Sequence, residues 1–133
     1  MTFAWSKYLE VARELTTATP HLAPADARER AAISRAYYAV FGRALQLFRD
    51  LGEFGARKTG DDHEGLARFL ASAREHRRKR VGDTLDRLRQ SRRWADYESA
   101  PTPARHGTIR IASATITQAA HALVLLGDIE RAP

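Results

Sequence analysis

Residues Thr108–Leu126 read T-I-R-I-A-S-A-T-I-T-Q-A-A-H-A-L-V-L-L. The opening Thr108-Ile109-Arg110-Ile111 alternates and is β-branched, which is the pattern of a strand. Over the longer window, Ile109, Ala112, Ile116, Ala119, Leu123 and Leu126 step by three, four, three, four and three. That is one face of a helix, predicted to run to about Arg131. With the competing strand removed, the chain reads as all-α.

Upstream of this helix, Pro101 and Pro103 end the preceding element, with Thr102 placed to cap the last helix and Pro103 at its first position. Trp5, Tyr8, Leu9, Ala12 and Leu15 mark a first helix, and Pro20 and Pro24 in the following linker cannot continue it. From about Asp26 to Leu51, the positions Ile33, Ala36, Tyr37, Val40, Ala44, Leu47, Phe48 and Leu51 share one face of a longer second helix. Gly52, Gly55 and Gly60 open a loop. Asp61 and Glu64 then have capping-box spacing for a third helix that buries Leu66, Phe69, Leu70 and Ala73. The basic run Arg77-Arg78-Lys79-Arg80 fits a continuation of the third helix, and Gly82 predicts a bend or break there, with Val81, Leu85 and Leu88 starting a stripe of their own. Four long helices and a short one, with no internal repeat, predict an antiparallel four- to five-helix bundle spanning 1–133 as one domain.

The 133 residues carry a formal net charge of +6, and all of it lies between Arg74 and Arg93, where nine Lys/Arg face three Asp/Glu. Such a local excess suits a polyanion or an acidic partner. Arginine outnumbers lysine 19 to 3, which fits phosphate recognition by a planar fork of donors and equally fits the codon usage of a GC-rich genome. No run of about 18 apolar residues is present, so no membrane-spanning helix and no membrane partner is expected. The N-terminus lacks a basic region followed by an apolar block, and the expected location is cytoplasmic. Zero cysteines exclude thiolate chemistry and Cys-ligated zinc, and His21, His63, His76, His106 and His121 show no HxxxH or HxH spacing, so neither a metal nor a cofactor is expected.

On the fourth helix, Val81, Leu85, Leu88, Arg92 and Asp96 keep to one face, which puts Arg92 where a bundle wants an apolar residue. Two roles fit: an i,i+4 ion pair with Asp96 closing the helix end, or a guanidinium held at a groove with Tyr97 alongside to contact a phosphate. Arg77, Arg78, Lys79, Arg80, Arg89 and Arg93 form a solvated face or a sequence-independent nucleic-acid strip. Tyr37 and Tyr38 pack on two sides of the second helix, one in the core and one at its edge. His63 opens the third helix, where capping accounts for it.

Two segments resemble the HEPN family (higher eukaryotes and prokaryotes nucleotide-binding). They are Arg35-Ala36-Tyr37-Tyr38-Ala39-Val40-Phe41, which follows an R-A-Y-Y-A-x-F pattern, and Arg92-Arg93-Trp94-Ala95-Asp96-Tyr97, which follows R-x-x-A-D-Y. Asp62-His63 after the glycine loop and the alanine-rich last helix also have counterparts there. The resemblance implies a small helical bundle that dimerises across the groove of its motif helices. Many members are metal-independent ribonucleases of toxin–antitoxin or phage-defence systems, with an arginine followed roughly four to six residues later by a histidine. Arg92 matches that arginine, but Tyr97 stands where the histidine belongs, and a phenol with a pKa of about 10 is a poor base at neutral pH. Arg57 and His63 have the required spacing but fall at the glycine loop, where chance accounts for them.

Three functions follow. The first is a dimeric component of a prokaryotic toxin–antitoxin or defence system that binds RNA or a nucleotide, or that partners a minimal nucleotidyltransferase or an antitoxin protein, with Tyr97 the position that the resemblance implies for adenylylation. The alternative is a metal-independent ribonuclease with Arg92, Asp96 and Tyr97 in a composite dimer-interface site. The third is a bundle whose basic face docks an acidic protein.

Overall fold

The Thr108 stretch is helical in the computed structural model, which describes residues 3–17, 21, 23–55, 61–99 and 107–132. The described residues form five α-helices and no strand: α1 (Lys7–Leu15), α2 (Ala25–Asp50), α3 (Asp61–Ala71), α4 (His76–Tyr97) and α5 (Thr108–Arg131). Three are long and two short, one long helix fewer than the sequence predicts. The helix α5 starts at Thr108 after Gly107, whose φ of 76° turns the chain into it, while Thr102 and Pro103 lie outside the described residues.

Contacts between helix ends give the directions. Near the start of α2, Arg30 Nη1 donates to the carbonyls of Ala95 (3.3 Å) and Glu98 at the end of α4, so these two helices run antiparallel. The guanidinium also lies 4.5 Å from the Trp94 ring centroid and 3.1 Å from Asp26, closing the α4 terminus. Arg77 Nη1 donates to the Asp128 carbonyl at 3.4 Å, which sets α4 antiparallel to α5. In contrast, α2 and α5 run in the same direction: the Thr108 hydroxyl donates to Asp26 at their starts, and Arg43 meets Glu130 at 2.8 Å further along.

The core takes its bulk from α2 and α4, with Ile33, Tyr37, Val40, Phe48, Val81, Leu85 and Leu88 fully buried. Leu66 and Leu70 of α3 and Leu126 of α5 complete it. Three predicted core positions are instead exposed. Leu51 lies past the end of α2, Ile109 sits in the first turn of α5, and Phe69 packs at the rim against the Phe54 ring, 5.6 Å away. Ala73, also read as buried, falls past the end of α3 and is half-buried. The buried face of α5 is rotated slightly from the predicted one, toward Ala112, Thr115, Ala119, Ala122, Leu126 and Ile129. Thr115 is accommodated there because its hydroxyl donates to the Ile111 carbonyl at 2.7 Å.

There is no break at Gly82: α3 ends at Ala71, the basic run opens α4 rather than continuing α3, and α4 is continuous through Gly82. A Cβ at this position would sit 2.2 Å from the Ala71 amide nitrogen and 2.6 Å from the Leu70 carbonyl carbon. The bare backbone therefore lets α4 press against the end of α3. The basic run opens α4, at the positive end of the helix dipole. Glu75 offsets this as N-cap, its carboxylate accepting from the Arg78 amide and from Arg77 Nε, both at 2.6 Å. Partial burial would raise the Glu75 pKa, but these hydrogen bonds and the two arginine charges outweigh it and hold it below its ordinary value.

By length and composition, α5 is long and apolar enough to cross a membrane, contrary to the sequence expectation, because Ala, Thr and Leu in it dilute few charges. Its apolar stripe is what α2 and α4 cover in the bundle.

Candidate functional site

The antiparallel packing of α2 on α4 brings the two motif segments face to face. Tyr37 and Tyr38 are adjacent in α2, and successive helical residues diverge by about 100°, so one phenol points into the core and the other toward its edge. Opposite them, Arg92 takes the predicted inward position with its side chain only 13% exposed. Its Cζ lies 5.2 Å from the Tyr37 ring centroid and 5.7 Å from that of Tyr38. Nη1 donates to the Tyr38 hydroxyl at 3.5 Å and to Asp96 Oδ2 at 3.4 Å.

Both polar contacts are long for charge-assisted hydrogen bonds, which close to about 2.7–2.9 Å when strong. In addition, Arg92 Nε is buried with no partner, and one turn earlier Arg89 Nε is in the same condition. Arg89 meets Asp86 at 3.3 Å with its side chain 18% exposed. Two neighbouring guanidiniums thus carry more donor capacity than the protein satisfies.

The residue that completes the cluster comes from α3. His63 is its third residue, and Nδ1 lies 2.6 Å from the Tyr37 hydroxyl. The imidazole stacks on Phe41 with centroids 4.1 Å apart and planes 17° apart, and it meets Tyr38 edge-on. It does not act as the helix cap that the sequence suggests. Burial lowers its pKa first, the Arg92 charge second and the Arg89 charge further, against an opposing Asp62. His63 is therefore neutral at pH 7. Burial pushes the Tyr37 phenol far above its ordinary range despite the nearby Arg92 charge, so it keeps its proton. The bond to Tyr37 engages Nδ1 and orients the ring.

Of the predicted catalytic residues, Arg92 and Asp96 are brought together and Tyr97 is not. Tyr97 is the last residue of α4, 76% exposed, and lies about 140° around the helix from Arg92. The predicted basic strip is likewise dispersed. Arg77 pairs with Glu75 at 2.6 Å, and Arg78 pairs with Glu53 at 3.0 Å while covering the Phe48 ring. Lys79, Arg80 and Arg93 are exposed, but Arg80 and Arg89 point about 180° apart. Arg57 lies outside the described residues.

The assembled site is a nearly buried cation held only by long polar contacts, a neutral imidazole and two phenols, a set suited to a phosphate oxyanion. His63, Tyr37 and Tyr38 are its unforeseen members. The signal available for His63 was the Asp62-His63 pair in the HEPN resemblance. Comparison with family models, with curated proteins and with solved structures finds no match to this chain.

Proposed function

We propose that this chain is a HEPN-like domain that binds RNA or a nucleotide through a phosphate at Arg92. The observation that carries the reading is Arg92 itself: nearly buried, lightly paired, with an unpartnered Nε, and set beside the neutral His63. A purely structural arginine at this depth would have its donors satisfied. The wider setting rests on the resemblance of residues 35–41 and 92–97: a cytoplasmic homodimer in a prokaryotic toxin–antitoxin or defence system, partnered with a minimal nucleotidyltransferase. Tyr97, exposed at the helix end, is open to adenylylation by that partner.

The test is the pH dependence of binding to a short single-stranded RNA. A bound phosphate favours the imidazolium and raises the His63 pKa from its depressed value in the free protein. Binding then takes up a proton, so affinity rises as pH falls through the bound-state pKa and levels off below the free-state pKa. His63→Gln is expected to abolish this pH dependence while retaining binding at pH 8. Identical pH profiles for the two proteins would remove His63 from the site.

A second reading, a metal-independent ribonuclease, is favoured by one observation: a neutral imidazole beside Arg92. This reading requires the tautomer with the proton on Nδ1, donated to the Tyr37 oxygen, in which His63 would present a basic Nε2 to a ribose 2′-hydroxyl while Arg92 stabilises the phosphoryl transition state. Tyr97 points elsewhere, so the acid for the leaving oxygen would come from a second copy. The need for that second donor places binding ahead of cleavage.

A further inference from the structure

Next to the Arg92 cluster, α2, His63 of α3 and Trp5 just before α1 line a pocket of about 230 Å³ that is largely apolar. Trp5, Tyr38, Phe41 and His63 supply aromatic walls, and Gln46 and Arg49 add polar groups. Tyr38 and His63 belong to both places: each lines the pocket and each joins the Arg92–Tyr37 cluster. A ligand held by its phosphate at Arg92 would thus have an aromatic recess next to it.

The size and chemistry of the recess narrow its occupant. Its volume is below the roughly 300 Å³ at which drug-sized sites begin, which suits a single flat ring system. Aromatic side chains stack on any base because every base has a π-face. The half-buried Gln46 amide has no side-chain hydrogen bond among the described residues, so both its donor and its acceptor are available to a base edge. The seat of Trp5 is specific as well. A Cβ on Gly42 would lie 2.1 Å from the indole, so the bare backbone of α2 at this point is what lets the ring lie there.

We propose that this pocket receives one unstacked nucleobase of the nucleotide or RNA whose phosphate lies at Arg92. The proposal rests on the phosphate-binding reading above and adds the part of the ligand that gives preference for a nucleotide over a bare sugar phosphate.

The experiment measures binding of adenosine 5′-monophosphate and of ribose 5-phosphate to the wild-type protein, Trp5→Ala, Gly42→Ala and Arg92→Met. Stacking predicts that the wild type binds the nucleotide about 10-fold more tightly than the sugar phosphate. Trp5→Ala should erase that preference and leave ribose 5-phosphate affinity unchanged, whereas Arg92→Met should weaken both ligands. Gly42→Ala displaces the indole without removing it and improves helix propensity, so it repeats the loss in a protein that remains folded. Equal affinity of the wild type for the two ligands, or a preference that survives both pocket variants, overturns the base pocket and leaves the phosphate site standing. Failure of the wild type to bind either ligand overturns both.

Discussion

Gly82→Ala is expected to lower the unfolding free energy by about 3 kcal/mol and the melting temperature by roughly 10 °C. On propensity alone the change should help, since alanine is better than glycine by about 1 kcal/mol inside a helix. Packing reverses the sign, because the new methyl would lie 2.2 Å from the Ala71 amide nitrogen and 2.6 Å from the Leu70 carbonyl carbon. These are backbone atoms at the end of α3, with no side-chain torsion to relieve the overlap. The helices must separate, and the buried Leu70, Val81 and Leu85 lose contact. Gly65→Ala on α3 is the internal control. Its methyl would meet only the Phe54 ring at 3.7 Å, so propensity governs and stability should rise by about 0.5–1 kcal/mol. Chemical denaturation of the three proteins separates the two effects. A Gly82→Ala protein as stable as the wild type would show that α3 and α4 are not in this close contact.

Arg92→Met is expected to leave stability within about 1 kcal/mol of the wild type, or to raise it. The arginine gives up little when removed. Its contacts to Asp96 and Tyr38 are 3.4 and 3.5 Å long, its Nε has no partner, and its charge is largely withdrawn from water. Methionine keeps the length of the side chain and fills the space against the Tyr37 and Tyr38 rings with a polarisable thioether. Asp96, about a third exposed, can hydrate in place of its lost partner. A structural ion pair behaves in the opposite way, and losing one partner would then cost about 3–5 kcal/mol. Urea titration at pH 7 distinguishes the two. A fold that tolerates or prefers methionine at this position indicates an arginine retained for what it binds.

The helical architecture is legible in the chain because apolar spacing is a local signal. The Ile109-to-Leu126 window overrides the alternating Thr108–Ile111, and Ile33 to Phe48 defines the α2 face without reference to its neighbours. Gly82 shows where a local signal fails. Glycine reads as a breaker along the sequence, whereas its reason lies across the bundle in the backbone of residues 70 and 71. The basic strip fails in a similar way, since adjacent arginines in a helix diverge by about 100° and the nearby acids Glu75 and Glu53 engage two of them. Half of the candidate site follows from spacing: Arg92 on an apolar face, with Asp96 four residues on. The other half, Tyr38 and His63, arrives from two other helices through tertiary packing, and periodicity within α4 carries no information about it.

The measurement that bears most directly on the phosphate-site claim is the binding isotherm of a short single-stranded RNA with wild type and Arg92→Met at constant salt, with folding of both verified. Loss of the charge-assisted contacts predicts a drop in affinity of about 100-fold in a variant whose fold is intact. RNA binding by Arg92→Met at wild-type affinity would contradict the account and return Arg92 to a role in the bundle alone.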